Sequence, residues 1–110
     1  MDYKSPETFE NVTITCKANI YFDGDVISHS LQLADGSTKT LGVMKQGRYR
    51  FNTEAAEKME IIDGNCRVRI DGDEQWIGFD SGTWFDVPGN SAFDIEIFSD
   101  TVQYICSFID

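Results

Sequence analysis

Hydrophobic and polar positions alternate along most of this 110-residue chain, with the period of strands buried on one face. The clearest stretch is residues 47–64. Tyr49, Phe51 and Thr53 alternate with Arg50 and Asn52, and Ala55, Ala56 and Glu57 interrupt the pattern. Met59, Ile61 and Ile62 resume an apolar run that Asp63-Gly64 closes with a tight-turn signal. The stretch predicts strand, break, strand, turn.

The same reading extends in both directions. Residues 1–10 are polar and predict a loose, exposed lead-in. Residues 12–16 alternate and predict an edge strand. Ile20, Tyr21 and Phe22 form a short apolar run stopped by Asp23-Gly24-Asp25. Residues 26–33 alternate up to the turn signal Asp35-Gly36, and residues 38–44 predict the next strand. Within that strand Gly42 marks a bulge or a close approach. Lys45-Gln46-Gly47 predicts a turn.

Beyond Gly64, Cys66, Val68 and Ile70 fall on one face. Residues 76–79 and 83–87 predict short strands, stopped by Asp80-Ser81-Gly82 and Pro88-Gly89. Residues 93–98 predict a strand with Phe93, Ile95 and Ile97 on one face, and residues 101–109 a last strand with Val102, Tyr104, Cys106 and Phe108 on one face. No segment holds a helical period for ten residues. Short strands at roughly 8–12-residue spacing between Gly/Asp turns predict an all-β sandwich or barrel. There is no internal repeat and no linker. The expected organisation is an N-terminal extension over residues 1–18 and one domain over residues 19–110.

Composition narrows the function classes. A 41% hydrophobic and 13% aromatic chain folds around a single core at this length. A net charge of −10 argues against nucleic acid and anionic membranes as partners. Seven of the nine basic residues lie between Lys39 and Arg69, and none lies after Arg69. An anionic substrate would therefore be met from the middle of the chain. Cys16, Cys66 and Cys106 form neither a disulfide framework nor a zinc pattern, so a reducing cytoplasm is the expected location. The polar N-terminus predicts no signal peptide, and no stretch approaches the ~18 apolar residues of a membrane span.

Two spacings carry chemistry. Phe51-x-Thr53, three residues, Glu57, six residues, Gly64 is the first. Gly82, five residues, Pro88-Gly89-Asn90-Ser91-Ala92-Phe93 is the second. Together they resemble the two motifs of the cupin superfamily, small jelly-roll β-barrels. In that pattern histidines bind a metal where this chain has Phe51, Thr53 and Phe93. Asn90 stands in place of a glycine, and Glu57 alone remains of the ligand set. One carboxylate beside two phenyl rings and a hydroxyl does not make a transition-metal site. The expectation is a cupin barrel with no metal and no cofactor.

A narrower resemblance runs over about residues 19–108. Asn19-Ile-Tyr-Phe-Asp-Gly24, Gly42-Val-Met44, Gly47-x-Tyr-x-Phe-x-Thr53, Glu57-x-Met59, Gly82, Phe85-x-Val-Pro88, Ser91-x-Phe93 and Tyr104-x-Cys106 are similar to the pyrimidine/purine nucleoside phosphorylase family. The resemblance implies phosphorolysis of many nucleosides to free base and ribose 1-phosphate, with inorganic phosphate as co-substrate, in a cytoplasmic homodimer. Three positions depart from the family: Arg48 where an acidic residue is frequent, Thr38 where a basic one is, and Phe108 where Tyr is.

Phosphorolysis gives the candidates roles. Phosphate must reach C1′ as the glycosidic bond breaks, through a transition state of oxocarbenium character. Glu57 is the catalytic candidate, facing the ribose hydroxyls or the positive charge at C1′; otherwise it is a strand-end carboxylate. Lys39 and then Arg50 are the candidate phosphate cations, although alternation puts Arg50 on the face opposite Phe51. Thr53 and Ser91 can bind phosphate or ribose, or simply hold strand and turn. Phe51 and Phe93 can stack on the base or belong to the core. Tyr49 and Tyr104 can reach a ligand through their hydroxyls or pack inside. His29, the only histidine, lies far from the motifs. Trp84 is a core, interface or barrel-mouth residue. The alternative function is a non-catalytic cupin that binds a small nucleoside-like or sugar-like ligand.

Overall fold

The computed structural model describes residues 3–109; Met1 and Asp2 of the expected lead-in, and Asp110, lie outside the described residues. Nine strands follow one another: β1 (Thr13–Ile14), β2 (Asn19–Tyr21), β3 (Val26–Gln32), β4 (Thr38–Asn52), β5 (Ala56–Asp63), β6 (Asn65–Ile70), β7 (Ile77–Asp80), β8 (Trp84–Val87) and β9 (Ala92–Ile109). A 3-10 turn, Phe22–Gly24, separates β2 from β3. All pairings are antiparallel.

The architecture follows from two long strands. Strand β9 pairs with β4 along nearly its whole length. Its first half also pairs with β6, through Phe93↔Ile70 to Ile97↔Cys66. Its second half pairs with β5, through Gln103↔Asp63 to Ile109↔Ala56. Strand β7 extends the first half through β6. Strands β8 and β3 extend the second, with β1 and β2 on the far side of β3. One sheet is thus folded into two facing layers. The core joins Val68, Ile95 and Ile97 of one layer to Val26, Met44, Met59, Ile61 and Val102 of the other. The alternation predicts this all-β architecture, and the cupin resemblance implies its jelly-roll form.

Three boundaries differ from the expectation. Lys45-Gln46-Gly47 is not a turn: β4 runs through it, with a register shift between Lys45 and Gly47. Residues 98–100 of β9 stand opposite that shift, so neither long strand stops there. The Gln46 amide donates to the Phe98 carbonyl (2.7 Å), and the Tyr49 hydroxyl donates to the Lys45 carbonyl (2.8 Å). Backbone polarity at the bend is met locally, which lets the strands change layer without ending. The interruption in the central stretch falls at residues 53–55, so Glu57 lies inside β5.

The lead-in is docked where it is described. Tyr3 stacks edge-on against Trp84, with ring centroids 5.3 Å apart. The Tyr3 and Ser5 hydroxyls both donate to the Glu60 carboxylate, Ser5 at 2.8 Å. Glu60 is only 2% exposed, and these two donors supply the hydrogen bonds that burial demands. Lys58 lies over the Tyr3 ring at 3.7 Å. Trp84 therefore belongs to an outer face of the sheet rather than to a barrel mouth.

Candidate functional site

Side chains from β4, β5 and β9 that point between the layers leave a pocket of about 790 Å³, with Ile20, Tyr21 and Phe22 along it. That size suits a small-molecule ligand. One end is polar: Ser28, Thr40, Glu57, Tyr104 and Cys106. The other end is built on aromatic rings, with Arg50, Asn52 and Glu54 also in the lining. Phe51 and Phe93 stack 5.4 Å apart at 27°, and Phe22 meets Phe51 edge-on at 5.5 Å.

Strand pairing explains the polar end. Thr40 of β4 stands opposite Cys106 of β9, and Gly42 opposite Tyr104. Met59 of β5 flanks Cys106 on its other side. Alternation then carries Glu57, two residues before Met59, to the same inward face. Burial pushes the Glu57 carboxyl above its usual range, and the hydrogen bond donated by the Cys106 thiol offsets this in part. Burial and the Glu57 charge likewise push the Cys106 thiol up. Desolvation raises Tyr104 as well, beside a hydrogen bond with Ser28. Asn19 donates to the Ser28 hydroxyl at 3.3 Å and to Ser30 at 3.1 Å. Asn19, Ser28 and Tyr104 thus form a polar string that enters the pocket.

The expected site residues divide. Glu57, Phe51, Phe93 and Tyr104 line the pocket together. Arg50 reaches its rim, but its guanidinium is held by Asp71 at 3.1 Å and Asp94 at 3.3 Å, on the outer face that alternation assigns it. Lys39 is not in the lining, and its ammonium donates to the Ser107 hydroxyl at 2.6 Å. Tyr49 lies behind the aromatic end, 5.0 Å from Phe22, with its hydroxyl committed to Lys45. His29 is also outside the pocket; its ring Nδ1 contacts the Thr15 carbonyl at 3.1 Å. Arg48 sits on the outer face, 3.6 Å from Glu96 and over the Trp76 ring. Phe108 lines the pocket. Sequence reasoning did not single out Tyr21, Phe22, Ser28 and Thr40; the strand period of β3 and the short apolar run before Asp23 were the available signals.

Thr53 and Ser91 tie the two motifs together beside the pocket. The Thr53 hydroxyl donates to the Pro88 carbonyl (2.7 Å) and accepts from the Ser91 amide (3.0 Å). The Thr53 amide donates to the Ser91 carbonyl at 2.9 Å. Between them Asn90 holds a φ of 51°, a left-handed conformation that Asn tolerates better than most side chains. That is how Asn takes the glycine position of the second motif. Thr53→Val keeps the shape but leaves the Pro88 carbonyl and Ser91 amide short of a partner. It is expected to cost about 1–3 kcal/mol in urea unfolding; an unchanged midpoint would show that the clamp is not needed.

The donors present can be set against the usual cupin metal site. Two histidine positions of the cupin motifs hold stacked phenyl rings, and the third holds a hydroxyl already used by Pro88 and Ser91. Among the described residues no group of three His, Cys, Asp or Glu side chains could hold a metal ion. The residues do not fit the usual cupin metal.

The fold is that of the cupins: the cupin domain of Schizosaccharomyces pombe Cnp3 superposes with a TM-score of 0.62 at 16% identity, over 77% of this chain and 61% of that one. A crystal structure of a protein of unknown function from Acinetobacter sp. ADP1 matches with a TM-score of 0.89 at 42% identity, over 93% of this chain and 98% of that one. The family profile described as pyrimidine/purine nucleoside phosphorylase matches residues 16–108. A protein of that name from Cupriavidus metallidurans is 51% identical over 100 residues, 91% of this chain and 96% of its own. The chain belongs to the pyrimidine/purine nucleoside phosphorylase family.

Proposed function

We propose that this protein cleaves nucleosides with inorganic phosphate, releasing free base and ribose 1-phosphate, without a metal or other cofactor. The observation that carries the reading is the two-ended pocket: a half-buried carboxylate among hydroxyl donors at one end, stacked aromatic rings at the other. A nucleoside has the same division. Its ribose needs hydrogen bonds, and its base is flat and weakly polar.

Glu57 faces the ribose, where its carboxylate accepts from sugar hydroxyls and stabilises the positive charge that develops at C1′. Tyr104, Ser28 and Thr40 carry the hydroxyls at that end, and phosphate oxygens would take the places that Tyr104 and Cys106 now hold as partners of Ser28 and Thr40. Phosphate oxygen forms the new bond to C1′ as the bond to the base nitrogen breaks. The bonding pair leaves with the base, which then takes up a proton. Phe51 and Phe93 bound the space for the base. A pocket of this kind discriminates bases poorly, in keeping with broad specificity.

We further propose a cytoplasmic homodimer, with neither nucleic acid nor a membrane as partner. The net charge of −10 supports the exclusion of nucleic acid and anionic membranes, the free cysteines support a reducing compartment, and the dimer is what the family implies. Among the described residues no helix is long and apolar enough to cross a membrane.

The purified protein, incubated with uridine or inosine, is expected to release base only when phosphate is present. Nucleoside binding without base release would leave a binding module in place of an enzyme.

A further inference from the structure

The segment between β2 and β3 has no role in the reaction so far, yet its backbone is held in a costly shape. Phe22 and Asp23 adopt φ values of 51° and 56°, left-handed conformations that residues with a β-carbon disfavour. The turn is fixed at both ends. The Asp25 amide donates to the Phe22 carbonyl at 3.1 Å, and the Lys45 amide donates to the Asp25 carbonyl at 2.8 Å. Strand β2 anchors what precedes it, through Tyr21↔Val26.

Burial of the Phe22 ring does not explain this shape. Phe22 remains 45% exposed and Tyr21 49% exposed, although both line the pocket. Their rings meet Phe51 edge-on, Phe22 at 5.5 Å and Tyr21 at 6.4 Å. Phe51 in turn stacks on Phe93. The turn thus sets two aromatic side chains against the aromatic end of the pocket, with much of their surface left uncovered.

We propose that the Tyr21–Phe22 turn is the nucleobase clamp, in which the base stacks against the Phe22 ring while Tyr21 closes the side towards the polar end. The inference rests on the phosphorylase reading for the identity of the ligand, a planar purine or pyrimidine. Stacking on a phenyl ring reads the flat face of a base and not its hydrogen-bonding edge. The clamp therefore accepts both base classes and holds purines, with more stacking area, more firmly. It also assigns the base and the sugar to opposite ends of the pocket.

The test pairs turnover with binding of a free base. In Phe22→Ala the KM for inosine is expected to rise about tenfold, with the KM for phosphate within twofold and the melting temperature unchanged, because the ring is half exposed. Phe22→Trp restores most of the inosine KM. In calorimetry, hypoxanthine binds the unmodified protein and binds Phe22→Ala about tenfold more weakly. An unchanged inosine KM and hypoxanthine affinity in Phe22→Ala would overturn the clamp while leaving the phosphorylase reading intact. Hypoxanthine binding lost in Phe22→Ala, in a protein that releases no base from inosine, would uphold the clamp and sink the reading beneath it.

Discussion

Replacing Glu57 by Gln is expected to lower kcat at least ~100-fold while raising the melting temperature at neutral pH. Both effects come from one carboxylate in one place. The amide keeps the size and the hydrogen-bonding reach but not the charge that the proposed mechanism sets against C1′. The stability effect follows from the direction of the Glu57 shift. Burial raises its pKa, so the fold prefers the protonated form. That preference stabilises the protein fully below the unfolded carboxyl's pKa and is lost as pH rises through the raised folded value. At neutral pH the buried charge is a cost that Gln does not bear. The stability gain from Glu57→Gln should therefore shrink as the pH is lowered through the same range. In the unmodified enzyme, kcat/KM should fall on the acid side with a midpoint above the ordinary carboxylate range. Unchanged turnover in Glu57→Gln would remove this residue from the mechanism. A lowered melting temperature would assign it a structural role.

Gly42→Ala is expected to damage both fold and pocket. A β-carbon at Gly42 would stand 2.6 Å from the Tyr104 hydroxyl oxygen and 2.7 Å from the ring carbon that bears it. The two residues are register partners on β4 and β9, so the Tyr104 ring lies across a position only glycine leaves open. That ring is buried, and the adjoining free space is the pocket itself. The added methyl would push the ring there, away from Ser28. Overpacking of this kind costs about 1–3 kcal/mol, a drop of roughly 5 °C or more in a domain of this size. The kcat/KM for nucleosides should fall with it. A variant with unchanged melting temperature and kinetics would mean that the Tyr104 ring has another place to go, and that its present position is not part of the site.

The sequence made the core legible where alternation was clean. Phe93, Ile95 and Ile97 are all buried as their period predicts, and so are Cys66 and Val68. Gly42 was legible as a close approach, though not which side chain approaches. The long strands were harder to read. Lys45-Gln46-Gly47 carries the residues of a turn, but the bend opposite residues 98–100 satisfies its backbone without ending the strand. The outer faces were also hidden. Ile105 lies between Tyr104 and Cys106 and is buried too, because both faces of β9 are covered there. Glu60 is a charged residue in an alternating strand, yet Tyr3 and Ser5 bury it.

The site divides along the same line. Glu57, Phe51, Phe93 and Tyr104 were identified by motif spacing and face inward together. Thr53 and Ser91 were identified by the same spacing, but the Thr53 hydroxyl and the Ser91 backbone amide and carbonyl are spent on each other and on Pro88. Periodicity places a side chain on a face without saying what its polar atoms already hold. Lys39 and Arg50 illustrate this for charge: each is in a strand near the pocket, and each is engaged by a neighbour, Ser107 for one and two aspartates for the other.

The central claim is that phosphate, not water, receives the ribosyl group. Phosphorus-31 NMR of the purified protein with inosine and inorganic phosphate tests it directly. The account predicts a phosphomonoester resonance for ribose 1-phosphate that grows in a one-to-one ratio with free hypoxanthine. Hypoxanthine appearing without that resonance, or neither product appearing, would contradict it.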